Sequence, residues 1–362
     1  MKNSKKRNCD VYISNETRMA EYPESSNNEH AAKSYGELGS KYLKQGNYQK
    51  ALEYSLTALR MLEQLYSGDN PDVATAYNNI GILYDQMGNR QKALEYKLRS
   101  LNIRERILPP NHLSLASSYN NVGFSYGNLG DHTKELEYLQ KALDIRKHVL
   151  PENHLALATS YNNLAGSYQA FGDSTKALEY QQKALAIRER VLPPDHPDLA
   201  QSHNNVGYTY GALGDHEKAL EYLLKSLALW ERVLPPNHPD LASSYNNVGS
   251  TYGALGDHKQ ALEYQLKALG IRERVLPGNH PDLAQSFNNI AITYYALGRI
   301  GEAATHMRRA ADTINRSTLP KTHPKRVNYN KWAGELKRKY EMRQILSQMR
   351  EWGVDPFGFG RR

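Results

Sequence analysis

The sequence predicts an all-α fold, an α-solenoid of seven helix pairs followed by a C-terminal capping helix. Three observations carry this reading. A Gly followed by a polar residue recurs at Gly46-Asn47, Gly88-Asn89, Gly130-Asp131, Gly172-Asp173, Gly214-Asp215, Gly256-Asp257 and Gly298-Arg299, always 42 residues apart. Apolar residues on each side of that turn fall at the 3–4 spacing of one buried helical stripe. A Leu-Pro segment then closes each unit after the first. Self-similarity at one fixed period means stacked units that share a continuous core.

Taken in chain order, residues 1–28 are polar and show no helical period, so they are expected to form a disordered tail. The seven units occupy 29–318. Each later unit opens on Pro-Asp or a similar pair, with the Asp expected as the helix cap. Helix A of one copy runs from Asp240 to Leu255, with Leu241, Tyr245, Val248 and Tyr252 on its apolar stripe. Gly256-Asp257 makes the turn, and helix B runs from about Lys259 to Val275. Leu276-Pro277 stops it, because proline clashes with the preceding turn and cannot donate to it. Residues 319–362 form a basic cap helix with a loose Gly-rich end.

Composition removes several function classes. No apolar run reaches the ~20 residues of a membrane helix. The basic start MKNSKKRNCDVYISNETRM has no apolar segment, so no secretory signal is expected. Cys9, the single cysteine, cannot form an internal disulfide, which points to a reducing, cytoplasmic setting. The net charge of +8 suggests nucleic acid until it is located: 316–362 hold 12 Lys/Arg against 4 Asp/Glu, while 1–315 hold 34 of each. The repeats are neutral, whereas nucleic-acid binding starts from a basic face.

The pattern resembles the tetratricopeptide repeat. Gly81, Gly123, Gly207 and Gly249 match its small residue on helix A, and Tyr84, Tyr126, Tyr168, Tyr210, Tyr252 and Tyr294 its aromatic. Ala93, Ala177, Ala219, Ala261 and Ala303 match its small residue on helix B. The 42-residue unit with Asn-Asn in helix A and a His-Pro-Asp loop looks like the kinesin light chain subclass, shared with nephrocystin-like proteins. The resemblance covers about 29–318 and implies a right-handed solenoid with a concave peptide-binding groove. Glu135 for Ala, His203 for Tyr, and the swapped Ala165-Gly166 depart from the pattern.

The resemblance also assigns positions. The second Asn of each pair bonds to the adjoining repeat. The first, Asn78, Asn120, Asn162, Asn204, Asn246 and Asn288, falls where the groove lies. Such a ladder could bond the main chain of an extended peptide, or could instead be solvated or bonded between repeats. Phe124, Tyr208 and Tyr295 fall on other groove positions as apolar knobs. After Lys33 and Lys44 in the first repeat, those positions carry no Lys or Arg, unlike a groove for acidic peptides. Trp230 replaces an Arg and reads either as an interface anchor or as partly buried.

Nothing in the sequence points to catalysis or a cofactor. It has no phosphate-cradling loop, no HExxH and no nucleophile elbow. His112, His154, His196, His238 and His280 recur one per repeat, too far apart to share a metal ion, and read as locally bonded loop residues. The expected function is a non-enzymatic scaffold or adaptor that binds an extended segment of a protein partner. The alternatives are a kinesin light chain-like cargo adaptor, or RNA or anionic-membrane binding through the basic tail. No counterpart of the light chain's heptad segment stands in 1–28, so direct motor attachment is not expected.

Overall fold

The computed structural model describes residues 25–351. The expected loose end at 354–362 and most of the expected N-terminal tail lie outside them. The described residues form fifteen helices: α1 (Ser25–Lys44), α2 (Tyr48–Leu65), α3 (Pro71–Gln86), α4 (Arg90–Ile107), α5 (Leu113–Asn128), α6 (His132–Val149), α7 (Leu155–Phe171), α8 (Ser174–Val191), α9 (Pro197–Ala212), α10 (His216–Val233), α11 (Pro239–Ala254), α12 (His258–Val275), α13 (Pro281–Ala296), α14 (Ile300–Arg316) and α15 (Pro324–Glu351). They fall into two compact units, Met1–Val149 and Leu150–Arg362. Within each unit a helix packs on its pair-mate and on the first helix of the next pair. Helix α1 begins at Ser25, ahead of the expected Glu29. Once a packed turn nucleates a helix, polar residues extend it at little cost.

Two residues make each turn. Gly214 takes φ +85°, a left-handed conformation open to glycine, and donates to Gly211 O at 3.1 Å. Asp215 then donates its N–H to Tyr210 O at 3.0 Å, which completes a Schellman closure. Its carboxylate at once caps α10 by accepting from Lys218 N at 3.1 Å. The other end corrects the sequence reading. The helix A cap is the loop histidine and not the aspartate: Nδ1 of His196, His238 and His280 accepts from the backbone N–H of Asp198, Asp240 and Asp282. Proline sits at the first helical position, where its missing N–H costs nothing, and the Asp follows in the first turn.

The small residues act where the sequence places them. A Cβ on Gly207 would lie 3.0 Å from Ala219 O, and one on Gly249 3.0 Å from Ala261 O, so the backbones of helices A and B approach closely there. Helix A tyrosines stack on an aromatic ring of helix B, as in Tyr210–Tyr222 and Tyr252–Tyr264 with ring centres 5.6 and 5.5 Å apart. Glu135 is buried at the tight contact, its carboxylate held 2.8 Å from His132 Nδ1. It fits because residue 127 is Gly: a Cβ there would fall 2.4 Å from the Glu135 carboxyl carbon.

Helix α15 lies on the last pair. Tyr329 and Leu336 enter the core around Phe287, Ile290 and Met307, and Trp332 packs beside them. The Tyr329 hydroxyl donates to Gln285 Oε1 at 3.0 Å, and burial pushes its pKa up to about 12.

Candidate functional site

The face that helix A turns outward is read directly from its exposure. In α9 the buried residues are Leu199, Ala200, Ser202, His203, Val206, Gly207 and Thr209. Gln201 and Tyr208 are exposed and Asn204 half-buried, which puts the three on one stripe. The same register holds in α11 for Ser243, Asn246 and Ser250, and in α13 for Gln285, Asn288 and Ile292. In the first unit, α5 carries Ser117, Asn120 and Phe124 in that register. The sequence-assigned residues therefore share one face of their helices within each unit.

The Asn pairs form a ladder. Asn247 Nδ2 donates to Asn204 Oδ1 at 3.0 Å, Asn289 to Asn246 at 3.0 Å and Asn205 to Asn162 at 3.2 Å. In the first unit Asn121 donates to Asn78 at 3.0 Å. In the pairs of Asn78, Asn162, Asn204 and Asn246 the first Asn thus spends its acceptor on the next pair. Its Nδ2 is not used in the ladder, and among the described residues the Nδ2 groups of Asn78, Asn162, Asn204 and Asn246 have no acceptor. Asn288 ends the ladder and donates to Asn289 at 3.3 Å. The structure therefore shows the bond between repeats, and the half-exposed donors remain.

The apolar knobs differ in their freedom. Tyr208 is 61 % exposed, Ile292 47 % and Phe124 39 %. Tyr295 is held by the cap helix: its ring lies 6.1 Å from that of Trp332, and its hydroxyl accepts from Lys339 Nζ at 2.8 Å. Arg343 donates to Gly298 O at 3.0 Å and Arg326 to Leu319 O at 2.7 Å. Several of the basic residues at this end thus fasten α15 to its support.

At the start of the first unit a cavity of about 800 Å³ opens between α1 and α3, lined by Lys33, Lys41, Lys44, Glu37 and Asn79 among others. Gly36 holds the register of the first Asn there, so Asn79 has no ladder partner below it.

Three contacts between pairs escaped the sequence reading. Arg188 and Arg272 reach across to Ser202 Oγ at 2.6 Å and Ser286 Oγ at 2.7 Å; Arg104 reaches Ser118 Oγ at 2.7 Å. Burial pulls the Arg104 and Arg272 guanidinium groups down from their ordinary pKa. Trp230 takes that Arg position in α10 and is buried, 8 % exposed, within the core of its neighbours. Tyr119 and Tyr245 donate to Glu105 and Glu231 of the preceding helix B at 2.8 and 2.6 Å. Burial, helped by the carboxylate, raises both hydroxyl pKa values, that of Tyr119 to about 12. His203 holds the tyrosine's place in α9, with Nε2 3.8 Å from Glu189 and Nδ1 buried without a partner. Finally, Lys97 is buried and pairs with Asp85, also donating to Ser125 Oγ at 2.9 Å. Lys97 carried a signal, as a residue that breaks the period with a second departure, Asp85, at its contact position, whereas the Arg–Ser and Tyr–Glu contacts recur with the period.

The terminal Arg residues of helix B make surface bonds, with Arg106 on Asp69 and Arg232 on Asp195. Among the described residues no group of three His, Cys, Asp or Glu could hold a metal ion, and no helix is long and apolar enough to cross a membrane.

Comparison with known proteins agrees with this architecture. A tetratricopeptide repeat family model matches residues 30–106, 86–148, 114–190, 155–232, 198–274 and 240–315. No curated protein sequence matches the chain. Among solved structures, the Podosopora anserina kinesin light chain nearly identical TPR-like repeats are 25% identical, with 58% of this chain and 99% of that chain covered at a TM-score of 0.52. BtubC (BKLC) from P. vanneervenii is 25% identical, covering 62% of this chain and 90% of that one at 0.55. The Pyrococcus horikoshii signal transduction ATPase with a tetratricopeptide repeat sensor is 18% identical, covers 86% and 50%, and has a TM-score of 0.61, a likeness of fold alone. The family model spans well over half of the sequence, and the chain belongs to the tetratricopeptide repeat family.

Proposed function

We propose that the chain is a protein-interaction scaffold that takes an extended, uncharged segment of a partner along the helix A faces. The observation that carries this is the row of amide donors. Asn162, Asn204 and Asn246 each give their oxygen to the next pair and keep Nδ2 for an acceptor from outside. An extended main chain offers carbonyls of any sequence to such a row, so recognition tolerates sequence while the knobs add preference. The stripe from Thr159 through Ile292 carries no charged residue. A charged partner side chain would be desolvated there without compensation. The likeness to kinesin light chain-like repeats supports an adaptor reading of the same surface.

The test uses substitution to Asp, which keeps an acceptor for the ladder and removes the donors. The variant N162D/N204D/N246D and the wild type are each presented with a displayed library of random 12-residue peptides. Peptides enriched by the wild type and lost by the variant, at equal helicity, support the reading. Equal enrichment rejects it.

A further inference from the structure

The helix A faces of the second unit are not uniform along the stack. At one register the residues run Gly166, Tyr208, Ser250, Ile292, small and large in alternation. Tyr208 and Ile292 project into solvent, 61 % and 47 % exposed, and Ser250 between them is exposed as well. Helix α11, which carries Ser250, packs against both α9 and α13. Packed helices lie about 8–10 Å apart, so Tyr208 and Ile292 stand roughly 16–20 Å apart across it. Their side chains flank an open slot above the small Ser250.

We infer that this slot is a specificity site within the proposed groove, and that it takes one bulky apolar side chain of an uncharged extended segment. The inference rests on the groove reading. Three observations favour that occupant. The walls are an aromatic ring and an aliphatic side chain, which gain by covering apolar surface. The floor and its surroundings, Ser250, Asn204, Asn246 and Ser243, are uncharged, so a charged side chain would find no counter-ion. The unused donors of Asn204 and Asn246 lie one helix pair apart, about 8–10 Å. An extended chain rising about 3.3 Å per residue presents carbonyls at that distance every third residue. A segment held by both amides therefore runs one helical turn from Ser250, within reach for a long side chain to enter between Tyr208 and Ile292.

The test fills the slot without touching the donors. Ser250 is exposed, so Ser250→Trp places a ring in the gap and leaves the core intact. Wild type, S250W and N162D/N204D/N246D are each screened against the same displayed library of 12-residue peptides. The slot predicts that wild type enriches peptides with one bulky apolar residue among uncharged neighbours. It further predicts that S250W binds the enriched peptides at least tenfold more weakly at an unchanged melting temperature, and that changing the apolar residue of the peptide to Ala costs as much. Two results overturn the slot and leave the groove standing: enriched peptides that are charged or lack the apolar residue, or S250W binding as wild type does while the Asp variant fails. If no peptide distinguishes wild type from the Asp variant, the groove reading fails and the slot falls with it.

Discussion

Asn247 Nδ2 donates to Asn204 Oδ1 at 3.0 Å, so an amide on α11 is fixed by the helix A before it. The bond joins neighbouring pairs and also orients Asn204 with its own N–H groups outward. Asn247→Ala removes the donor and is expected to cost about 1 kcal/mol, typical of a net hydrogen bond. Asn204→Asp is expected to cost less, because it keeps the acceptor. Urea unfolding of the two variants checks the order.

Trp230 has an effect on Ser244 that the other repeats lack. Ser244 sits where Ser202 and Ser286 receive an arginine, but with Trp230 in the arginine's place its buried Oγ has no partner. Ser244→Ala should therefore be neutral or slightly stabilising. Ser286→Ala leaves the buried Arg272 guanidinium short of an acceptor and should cost about 1–3 kcal/mol. Thermal melts of both single variants separate these expectations.

Lys97 and Asp85 replace residues that are Leu223 and Gly211 in a later repeat. Lys97→Leu strands a carboxylate that is largely buried and should destabilise by about 3 kcal/mol. The double variant K97L/D85G reproduces the later repeat and should recover most of that loss, since an ion pair in the interior gives little net stability over apolar packing. A double-mutant cycle in urea measures the coupling.

His203 makes the second unit sensitive to acid. Burial lowers its pKa, and Glu189 only partly opposes that. With the folded pKa below the unfolded value near 6.5, the unfolded chain binds more protons between the two, so stability falls as pH drops from about 6.5 toward the folded pKa. His203→Tyr should remove this dependence and let the new hydroxyl donate to Glu189, as Tyr245 donates to Glu231. Melting temperatures from pH 5 to pH 8 for both proteins test the sign.

The fold was legible because its period is strict. Gly214-Asp215 and its six counterparts set the turns, and the stripe of Leu241, Val248 and Tyr252 set the buried face. The helix A cap was misread because His lies one residue outside Pro-Asp, and Asp is the more familiar cap. The Asn register was legible, but not the partner of the first Asn, because a bond spanning 43 residues needs the stacking of two pairs to be seen. The buried Arg–Ser bridges were hidden for a related reason. Arg188 looks solvent-facing in one dimension, and only the next helix A supplies Ser202 and covers it.

We propose that amide donors on the helix A faces hold a partner's main chain. The most direct measurement is the affinity, by fluorescence anisotropy, of one library-selected peptide for wild type and for N162D/N204D/N246D. At least a tenfold loss is expected in the variant with its melting temperature within a few degrees, because the acceptors of the ladder remain. Equal affinity in the two proteins would contradict it and move the binding surface away from these faces.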